Sequence, residues 1–430
     1  MFIRILCRTA SLFPCLILVL GGLAFGPEDN LAMADSLFKA GKFAEAEKFY
    51  AQALDKDPKD YRALVRMGYL ALLSNRLDEA QNWLSKAIEL KPKDPSPKSL
   101  LAEAYYRRDD FARAAPLFRA IGQEAKAAQL ESFKSAPPYQ IESQIESTSL
   151  KFVMTDPLPV VQVRVNGKEP VNFFIDSGGA EFILDPAFAQ EVGAAKYGSE
   201  TGAFGGGKKA AFEFGRVDSV TLGDFKIKNV PVQLLDVRRF SQPVFGGKRV
   251  DGILGTVVLY HFLATLNYPG GELLLRRKTG GSKSAFAKEA EQGQFISMPF
   301  WMAGDHYMVA WGTVNKRGPM LFFVDTGLAG GGFTCPESTL KEAGIKLLEN
   351  QASESIGGGG KMKSVPFMVE GLTFGEARES NIPGSFLGPF QLENAFGFHI
   401  GGLISHAFFW PYALTFDFTG MKIFLKKQSP

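Results

Sequence analysis

Cysteine and histidine are scarce in this sequence, and their scarcity excludes several kinds of site. Two of the three cysteines, Cys7 and Cys15, lie in the extreme N-terminal segment, which leaves Cys335 alone in the rest of the chain. A framework of intramolecular disulfides is therefore excluded. The four histidines form no close pair with the spacing of metal ligands. We expect neither a metal ion nor another cofactor.

A strong charge of either sign is also missing. Lysine and arginine number 48 and aspartate and glutamate 45, so the formal net charge is only +3. A domain that binds the phosphate backbone usually carries a large, clustered positive charge. Nucleic acid is therefore not expected as a partner.

The N-terminal apolar run, residues 12–20, is shorter than the roughly 20 residues that a membrane span needs. Arg4 and Arg8 precede it, and small residues follow it, so that cleavage after Ala24 or after Ala34 would satisfy the small-residue rule. This order predicts that residues 1–26 are a signal peptide or, if they stay uncleaved, an N-terminal anchor. We expect an exported protein, periplasmic or extracellular, with membrane association only in the uncleaved case.

Residues 27–128 repeat themselves every 34 residues through three copies. The equivalent positions hold turn-forming residues, aromatic residues or leucine, and small residues: Gly41, Asn75 and Asp109; Phe43, Leu77 and Phe111; Ala46, Ala80 and Ala114. This pattern resembles the tetratricopeptide repeat, in which small residues let paired helices approach. The resemblance implies an α-helical repeat domain.

The role of these repeats stays open at this point. They could be a folded spacer, or they could form a concave groove that docks a peptide or protein partner. We favour partner docking or self-association, although three repeats offer only a small groove. Residues 129–148, which contain Pro137 and Pro138, predict a linker to the next domain.

The remainder of the chain alternates short strands with glycine-rich turns, which predicts an all-β domain. This domain contains an internal duplication. The sequence Phe-Phe-Ile-Asp-Ser-Gly around Asp176 recurs as Phe-Phe-Val-Asp-Thr-Gly around Asp325, 149 residues further on. Residues 204–207 likewise recur at 356–359, and residues 252–255 at 402–405. One β unit of about 150 residues has been duplicated, and the polar residues 276–297 predict the linker between the copies.

Each copy places an aspartate, a hydroxyl residue and a glycine directly after a run of strand residues. A single copy would most simply be a turn at the end of a strand, in which the aspartate accepts nearby backbone amides. Two copies at equivalent positions of a duplicated fold can be brought together by a pseudo-twofold axis. Asp176 and Asp325 are therefore the candidate catalytic residues.

These triplets, the glycine-rich hairpin that follows each of them and the motif of residues 251–255 resemble the aspartic proteases, both the pepsin-like enzymes and the shorter retroviral-type enzymes that dimerise. The resemblance implies an all-β domain of two lobes, residues 149–275 and 298–430. It also implies an aspartic-type peptidase that acts on a peptide or protein substrate.

The chemistry that the resemblance implies follows from two carboxyl groups in contact. The second carboxyl resists ionisation beside the first, so the pair holds one shared proton. The ionised member can then take a proton from a water molecule, and the protonated member can hydrogen-bond the scissile carbonyl. The resemblance further implies that Ser177 and Thr326 support the site with hydrogen bonds, and that Gly178 and Gly327 permit close approach of the backbone.

The hairpin predicted over residues 201–214 corresponds to the flap of the family, with Phe204, Gly205 and Gly206 as candidate substrate contacts. Its counterpart, residues 353–367 with Ile356 and Gly357, is either a second flap or only a mobile loop. Residues 202–209 also approach the pattern of a phosphate-binding loop. A strand rather than a helix is predicted after them, so the amide-lined anion cradle is absent.

Three residues depart from the family pattern next to the candidate site. Gly179 and Leu328 stand where alanine, serine or threonine is usual, and Ser405 replaces the glycine that Gly255 provides in the first copy. These departures keep two alternatives open. The domain could be a catalytically silent module that binds peptides, or the protein could be an interaction scaffold in which the repeats carry the function.

Overall fold

The computed structural model describes residues 27–204 and 207–428. The segment predicted to be a signal peptide or anchor, residues 1–26, lies outside the described residues. The described residues begin with helices, which are α1 (Pro27–Lys39), α2 (Phe43–Lys56), α3 (Tyr61–Leu73), α4 (Leu77–Leu90), α5 (Pro95–Tyr106), α6 (Phe111–Ala120) and α7 (Glu124–Glu131). Among the described residues, no helix has the length and apolar character that crossing a membrane requires.

Local sequence sets the ends of the repeat helices. The carboxylates of Asp60 and Asp94 cap α3 and α5 by accepting backbone amides at 2.7 and 2.8 Å. Gly41, Asn75 and Asp109 lie between the two helices of each pair with positive φ angles, which these residue types adopt most readily. The equivalent alanines Ala46, Ala80 and Ala114 are fully buried at the helix crossings. The predicted helical repeat fold is confirmed.

The first β unit contains strands that form one eight-stranded sheet and contribute to a second. Its elements are β1 (Gln140–Glu142), β2 (Ser147–Lys151), β3 (Val160–Val165), β4 (Val171–Ile175), β5 (Phe182–Leu184), α8 (Pro186–Glu191), β6 (Ala195–Phe204), β7 (Lys208–Leu222), β8 (Phe225–Leu234), α9 (Val237–Val244), β9 (Gly252–Leu254), α10 (Thr256–Tyr260), β10 (Phe262–Asn267) and β11 (Glu272–Arg277). The eight-stranded sheet has the order β1-β8-β5-β9-β4-β3-β7-β6.

The second β unit repeats this arrangement. Its elements are α11 (Gly280–Gln292), β12 (Phe295–Pro299), β13 (Trp301–Ala303), β14 (Tyr307–Val314), β15 (Arg317–Val324), β16 (Phe333–Thr334), α12 (Glu337–Glu342), β17 (Ser353–Gly357), β18 (Gly360–Phe374), β19 (Ala377–Phe386), α13 (Leu392–Phe396), β20 (Gly402–Ile404), α14 (His406–Phe409), β21 (Tyr412–Asp417) and β22 (Lys422–Lys427). Its own eight-stranded sheet has the order β13-β14-β15-β20-β16-β19-β18-β17.

A six-stranded sheet joins the two units, with the order β12-β22-β21-β10-β11-β2. At its centre β10 and β21 run antiparallel, and the hydroxyls of Thr265 and Thr415 lie 2.8 Å apart across this pair. These equivalent threonines mark the pseudo-twofold axis between the units. The two-lobed β architecture expected from the duplication is therefore confirmed.

The two predicted linkers differ from the structure, because both contain regular elements. Residues 129–148 include β1, which pairs with β8, and the start of β2, which pairs with β11. Residues 276–297 include α11 and the start of β12, which pairs with β22. The polar composition of these segments predicted linkers instead of strands. An edge strand can be this polar, since it needs an apolar residue only at every second position.

The helical repeats pack directly against both lobes. The second half of α3, residues 67–73, is buried throughout, and Phe38 of α1 meets Phe398 edge to face at 5.9 Å. On the other side of the molecule, the amide of Gln129 in α7 donates to the carbonyls of Gly215 and Val232 in the first lobe. Repeat and lobe residues thus share continuous hydrophobic cores.

Candidate active site

Two equivalent strands carry Asp176 and Asp325 to the junction of the lobes. Asp176 follows β4, which runs parallel to β9, and its backbone amide donates to the carbonyl of Leu254 at 3.1 Å. Asp325 follows β15, which runs parallel to β20, and its amide donates to the carbonyl of Ile404 at 3.0 Å. Each aspartate therefore follows the buried end of an inner strand of its own lobe.

Ser177 and Thr326 connect the two aspartate loops across the pseudo-twofold axis. The amide of Ser177 donates to the Thr326 hydroxyl at 2.9 Å, and the amide of Thr326 donates to the Ser177 hydroxyl at 3.1 Å. Each hydroxyl then donates to a carbonyl of the opposite strand, Val324 at 2.9 Å and Ile175 at 3.4 Å. Both side chains are fully buried, so this lattice of hydrogen bonds holds the two loops together without competition from water.

Gly178 and Gly327 let each loop lie against the opposite aspartate. A Cβ atom added to Gly327 would lie 2.2 Å from Cγ of Asp176, and one added to Gly178 would lie 2.4 Å from Oδ1 of Asp325. Neither position has room for a side chain. The amides of these glycines donate to Oδ1 of the aspartate in their own loop, at 2.7 Å in the first lobe and 2.9 Å in the second.

The two carboxyl groups lie within hydrogen-bonding reach of each other, a geometry that favours one proton held between them. Burial raises the pKa of Asp176 well above its ordinary value, and the charge of Asp325 raises it further. Burial also raises the pKa of Asp325, against the amide of Gly327, which lowers it. The proton belongs to the coupled pair rather than to either residue.

The tips of two hairpins, one from each lobe, meet. β6 and β7 form the first, with Phe204 opposite Lys208, and β17 and β18 form the second, with Gly357 opposite Gly360. A Cβ atom added to Gly358 would lie 2.7 Å from the Phe204 ring, so the tips touch. Gly205 and Gly206, which were predicted to contact substrate, lie outside the described residues.

Apolar residues of both hairpins pack on the wall of the first lobe. Phe204 and Ile356 contact a buried cluster that includes Phe174, Ile183 and Ile253. The second hairpin, left open as a flap or a mobile loop, thus has the same form and packing as the first. The near match to a phosphate-binding loop falls in the first hairpin, where β7 rather than a helix follows.

Two of the three departures from the family pattern, Gly179 and Ser405, differ in their surroundings. A Cβ atom added to Gly179 would lie 3.4 Å from the nearest atom, the carbonyl oxygen of Asp176, so this position could hold alanine. A Cβ atom added to Gly255 would lie 2.2 Å from the carbonyl of Glu181. The equivalent Ser405 carries a side chain and donates its amide to the carbonyl of Gly332 at 2.9 Å. The Ser405 hydroxyl is buried without a hydrogen-bond partner among the described residues.

The residue after this position breaks the symmetry of the site and was not singled out from the sequence. In the first lobe the Thr256 hydroxyl donates to the carbonyl of Ser177 at 2.9 Å. In the second lobe the equivalent residue is His406, whose ring is buried and lies against the backbone of Leu328 in the second aspartate loop. Burial lowers its pKa to about 4, against the charge of Asp156 and the backbone of Leu328, which raise it. The sequence offered one signal of this asymmetry, since a hydroxyl residue, Thr256, directly follows residues 252–255 and a histidine directly follows residues 402–405.

Other reactive residues lie apart from the aspartates. Cys335 is buried, and burial raises the pKa of its thiol to about 12. His261 lies 3.1 Å from the carboxylate of Asp109, at the contact between the repeats and the first lobe. Within residues 27–204 and 207–428, no group of three histidine, cysteine, aspartate or glutamate side chains is arranged to hold a metal ion.

Comparison with known families agrees with this architecture. Residues 161–258 match the family model for an aspartyl protease, and residues 37–104 match the model for a tetratricopeptide repeat. No curated protein matches the chain. The first match contains Asp176 and the motif that ends at Gly255, so the resemblance to an aspartic protease with N-terminal repeats is confirmed. An aspartyl protease domain suggests a peptidase, and tetratricopeptide repeats generally mediate protein interactions.

Proposed function

We propose that this protein is an aspartic endopeptidase whose catalytic residues are Asp176 and Asp325. The observation that carries the proposal is the pair of half-buried carboxyl groups, whose loops are held together across the pseudo-twofold axis by Ser177 and Thr326. A surface turn would leave such carboxylates in water and apart. Two carboxylates that lie against each other and are partly removed from water, without a counter-ion in direct contact, are costly unless they share a proton. A shared proton is what the reaction uses.

The proposed reaction is direct attack of water on the scissile peptide carbonyl. The ionised carboxyl of the pair takes a proton from the water as its oxygen bonds to the carbonyl carbon. The protonated carboxyl donates its hydrogen bond to the carbonyl oxygen, where negative charge develops. The pair now holds two protons. It transfers one of them to the leaving nitrogen, which allows the C–N bond to break and leaves the pair with one shared proton, as at the start. No covalent bond to the protein forms.

The two hairpins support a role in closing over an extended peptide. Phe204 and Ile356 present apolar surface on the side of the first lobe that also carries Ile253. Substrate side chains that contact Phe204, Ile356 and Ile253 would be apolar, since these three side chains are apolar. We therefore propose a preference for apolar residues beside the scissile bond.

The direct test is the loss of peptide hydrolysis on changing either aspartate to asparagine. Asp176→Asn and Asp325→Asn should each lower kcat/KM on an unstructured protein or a quenched fluorescent peptide by about 10²- to 10⁴-fold, because each removes the acid–base pair. Asp218→Asn is the matched control, since Asp218 is an exposed aspartate on β7 of the same lobe. Activity that survives either change at the Asp176–Asp325 pair, the dyad, would refute the mechanism.

A catalytically silent peptide-binding module is the second candidate, and the asymmetry at His406 favours it. The second lobe lacks the hydroxyl that Thr256 supplies to the first and has the imidazole of His406 in its place, so the two loops are supported by different kinds of group. If the wild-type chain cleaves nothing between acid and neutral pH but binds a peptide with a non-hydrolysable hydroxyethylene group, this second function is correct. Binding that is lost in Asp325→Asn would then locate the ligand at the dyad.

Export is proposed from the N-terminal sequence alone. Its order of arginines, apolar run and small residues supports secretion to the periplasm or the medium, with anchoring if residues 1–26 persist. Cell fractionation, with N-terminal sequencing of the mature protein, tests both. A cytoplasmic protein that keeps its N-terminus would contradict the proposal.

A further inference from the structure

All three repeats contact the protease-like domain through the same position of the 34-residue unit. Gly41 lies against Leu321, where an added Cβ atom would be 2.6 Å from the leucine side chain. The Asn75 amide donates to the carbonyl of Phe418 at 3.0 Å, and Asp109 pairs with His261. The surface formed by these three turns is thus occupied by the protease-like domain, so an external partner cannot bind there.

Two further contacts from the repeats reach the segments next to the aspartates. The first involves Glu181, five positions after Asp176, which ends the first aspartate loop. Both Tyr106 of α5 and Lys126 of α7 donate to the same oxygen of Glu181, each at 2.6 Å. The side chains of Lys126 and Glu181 are only 7% and 1% exposed, so water does not weaken the ion pair. No other described residue hydrogen-bonds the carboxylate of Glu181.

Backbone hydrogen bonds hold the two residues just before Glu181 against the start of α10. The carbonyls of Gly179 and Ala180 accept the amides of Thr256 and Val257, at 2.9 and 2.8 Å. The Thr256 hydroxyl in turn supports the carbonyl of Ser177. A shift of Glu181 would therefore move the backbone that positions Asp176.

The second contact reaches the turn between β13 and β14, beside Asp325. Arg107, at the C-terminal end of α5, donates to the carbonyls of Met302, at 2.8 Å, and Gly304. Its guanidinium side chain is 2% exposed and also pairs with Glu103. The turn continues into Tyr307, whose ring lies 4.9 Å from that of Phe323, two residues before Asp325.

We propose that the repeats are a built-in positioning element of the active site, with Tyr106 and Lys126 acting through Glu181 on the Asp176 loop and Arg107 acting on the turn beside Asp325. One contact serves each lobe, so the repeats set the relative placement of the two carboxyl groups. These are positioning residues, because none of them touches the dyad. The inference rests on the peptidase function proposed above for its kinetic test and on the fold alone for its exchange test.

The kinetic test is Tyr106→Phe in the full chain, which removes one hydroxyl from Glu181 and keeps the ring. We expect kcat to fall about tenfold, because small misplacement of a catalytic group is costly, while KM stays unchanged, because substrate is not contacted. The upper limb of the pH profile should shift as well, since the proton is shared over a changed distance. Tyr105→Phe is the matched control, because its ring contacts Arg113 within the repeats.

A charge series at Lys126 separates positioning from stability. Lys126→Met leaves Glu181 buried without its counter-ion and should lower kcat further than Tyr106→Phe. Adding Glu181→Gln to Lys126→Met should restore most of kcat, because the buried unpaired charge is gone. Arg119→Gln is the control, since it breaks an exposed ion pair with Glu131 that lies wholly within the helices. If Tyr106→Phe lowers only Tm and keeps full kcat per folded molecule, the positioning role is refuted.

Hydrogen–deuterium exchange tests the same inference without any activity. In Tyr106→Phe, peptides that cover residues 177–183 should exchange faster than in the wild type, while peptides from the six-stranded sheet should not change. An inert wild type with this exchange pattern would refute the proposed peptidase and keep the positioning contact. Unchanged exchange at residues 177–183 would overturn the contact itself.

Discussion

Two glycines beside the dyad make a matched pair for testing how close the loops must lie. Gly327 faces the carboxyl group of Asp176 with no room for a Cβ atom, whereas Gly179 has room for one. Gly327→Ala should therefore push the carboxyl groups apart and lower kcat by about 10²-fold. Gly179→Ala should leave kcat close to that of the wild-type chain. Peptide hydrolysis by the two purified variants measures the difference, and equal activity would contradict the packing of the loops.

The raised pKa values of the dyad predict how activity and stability depend on pH. Because burial keeps the shared proton on the pair, kcat/KM should hold to a pH above the ordinary aspartate pKa and then fall as the last proton leaves. A carboxyl whose pKa is raised by folding stabilises the native state only at low pH, and this contribution is lost as pH rises through the folded pKa. Asp176→Asn, which cannot ionise, should therefore have a higher Tm than the wild type at neutral pH.

Thermal unfolding of the wild type and of Asp176→Asn, measured from acid to neutral pH, tests whether the variant has the higher Tm. The difference in Tm should grow with pH and vanish in acid. A difference that is independent of pH would mean that the pair is not proton-linked. Asp218→Asn, on the exposed face of β7, should show no pH-dependent difference.

At the scale of elements, the two touching hairpins predict how substrate is held. Phe204 is half-buried at the tip of the first hairpin and contacts the second. Phe204→Ala should raise KM about tenfold, the equivalent of about 1.4 kcal/mol of lost contact, and change kcat less. Thr201→Ala, at an exposed position of the same hairpin, is the control. Unchanged KM in Phe204→Ala would mean that this tip does not contact substrate.

The sequence was sufficient for elements whose signal is local or repeated. The period of 34 residues predicted the helix pairs, and the duplication predicted both aspartate loops and both hairpins, because equivalent residues recur at a fixed offset. It was insufficient for β1 and β2, whose partners β8 and β11 lie far along the chain. It also gave no sign of the contact between Lys126 and Glu181, since no short pattern links a lysine on a helix to a glutamate 55 residues away.

On the scale of the whole molecule, the repeats and the lobes form one folding unit. The core that contains Leu84 and Phe111 of the repeats continues into Phe173 and Phe262 of the first lobe. A second core joins Phe38 to Phe323 in the second lobe. A repeat domain attached by a flexible linker would unfold on its own, whereas buried contacts of this kind couple the two transitions.

This coupling predicts a single cooperative unfolding transition for the full chain. Far-UV circular dichroism follows the helices. Tryptophan fluorescence follows the second lobe once Trp83, Trp301 and Trp311 have been changed to phenylalanine, because Trp301 and Trp311 pack against the repeats and Trp410 then remains. Leu84→Ala, which empties a fully buried position in α4, should destabilise the chain by about 2–5 kcal/mol and shift both midpoints together. Glu89→Ala, exposed on the same helix, should shift neither. If only the helical signal moved, the repeats would be an independent domain, and they could not hold the two aspartate loops in place.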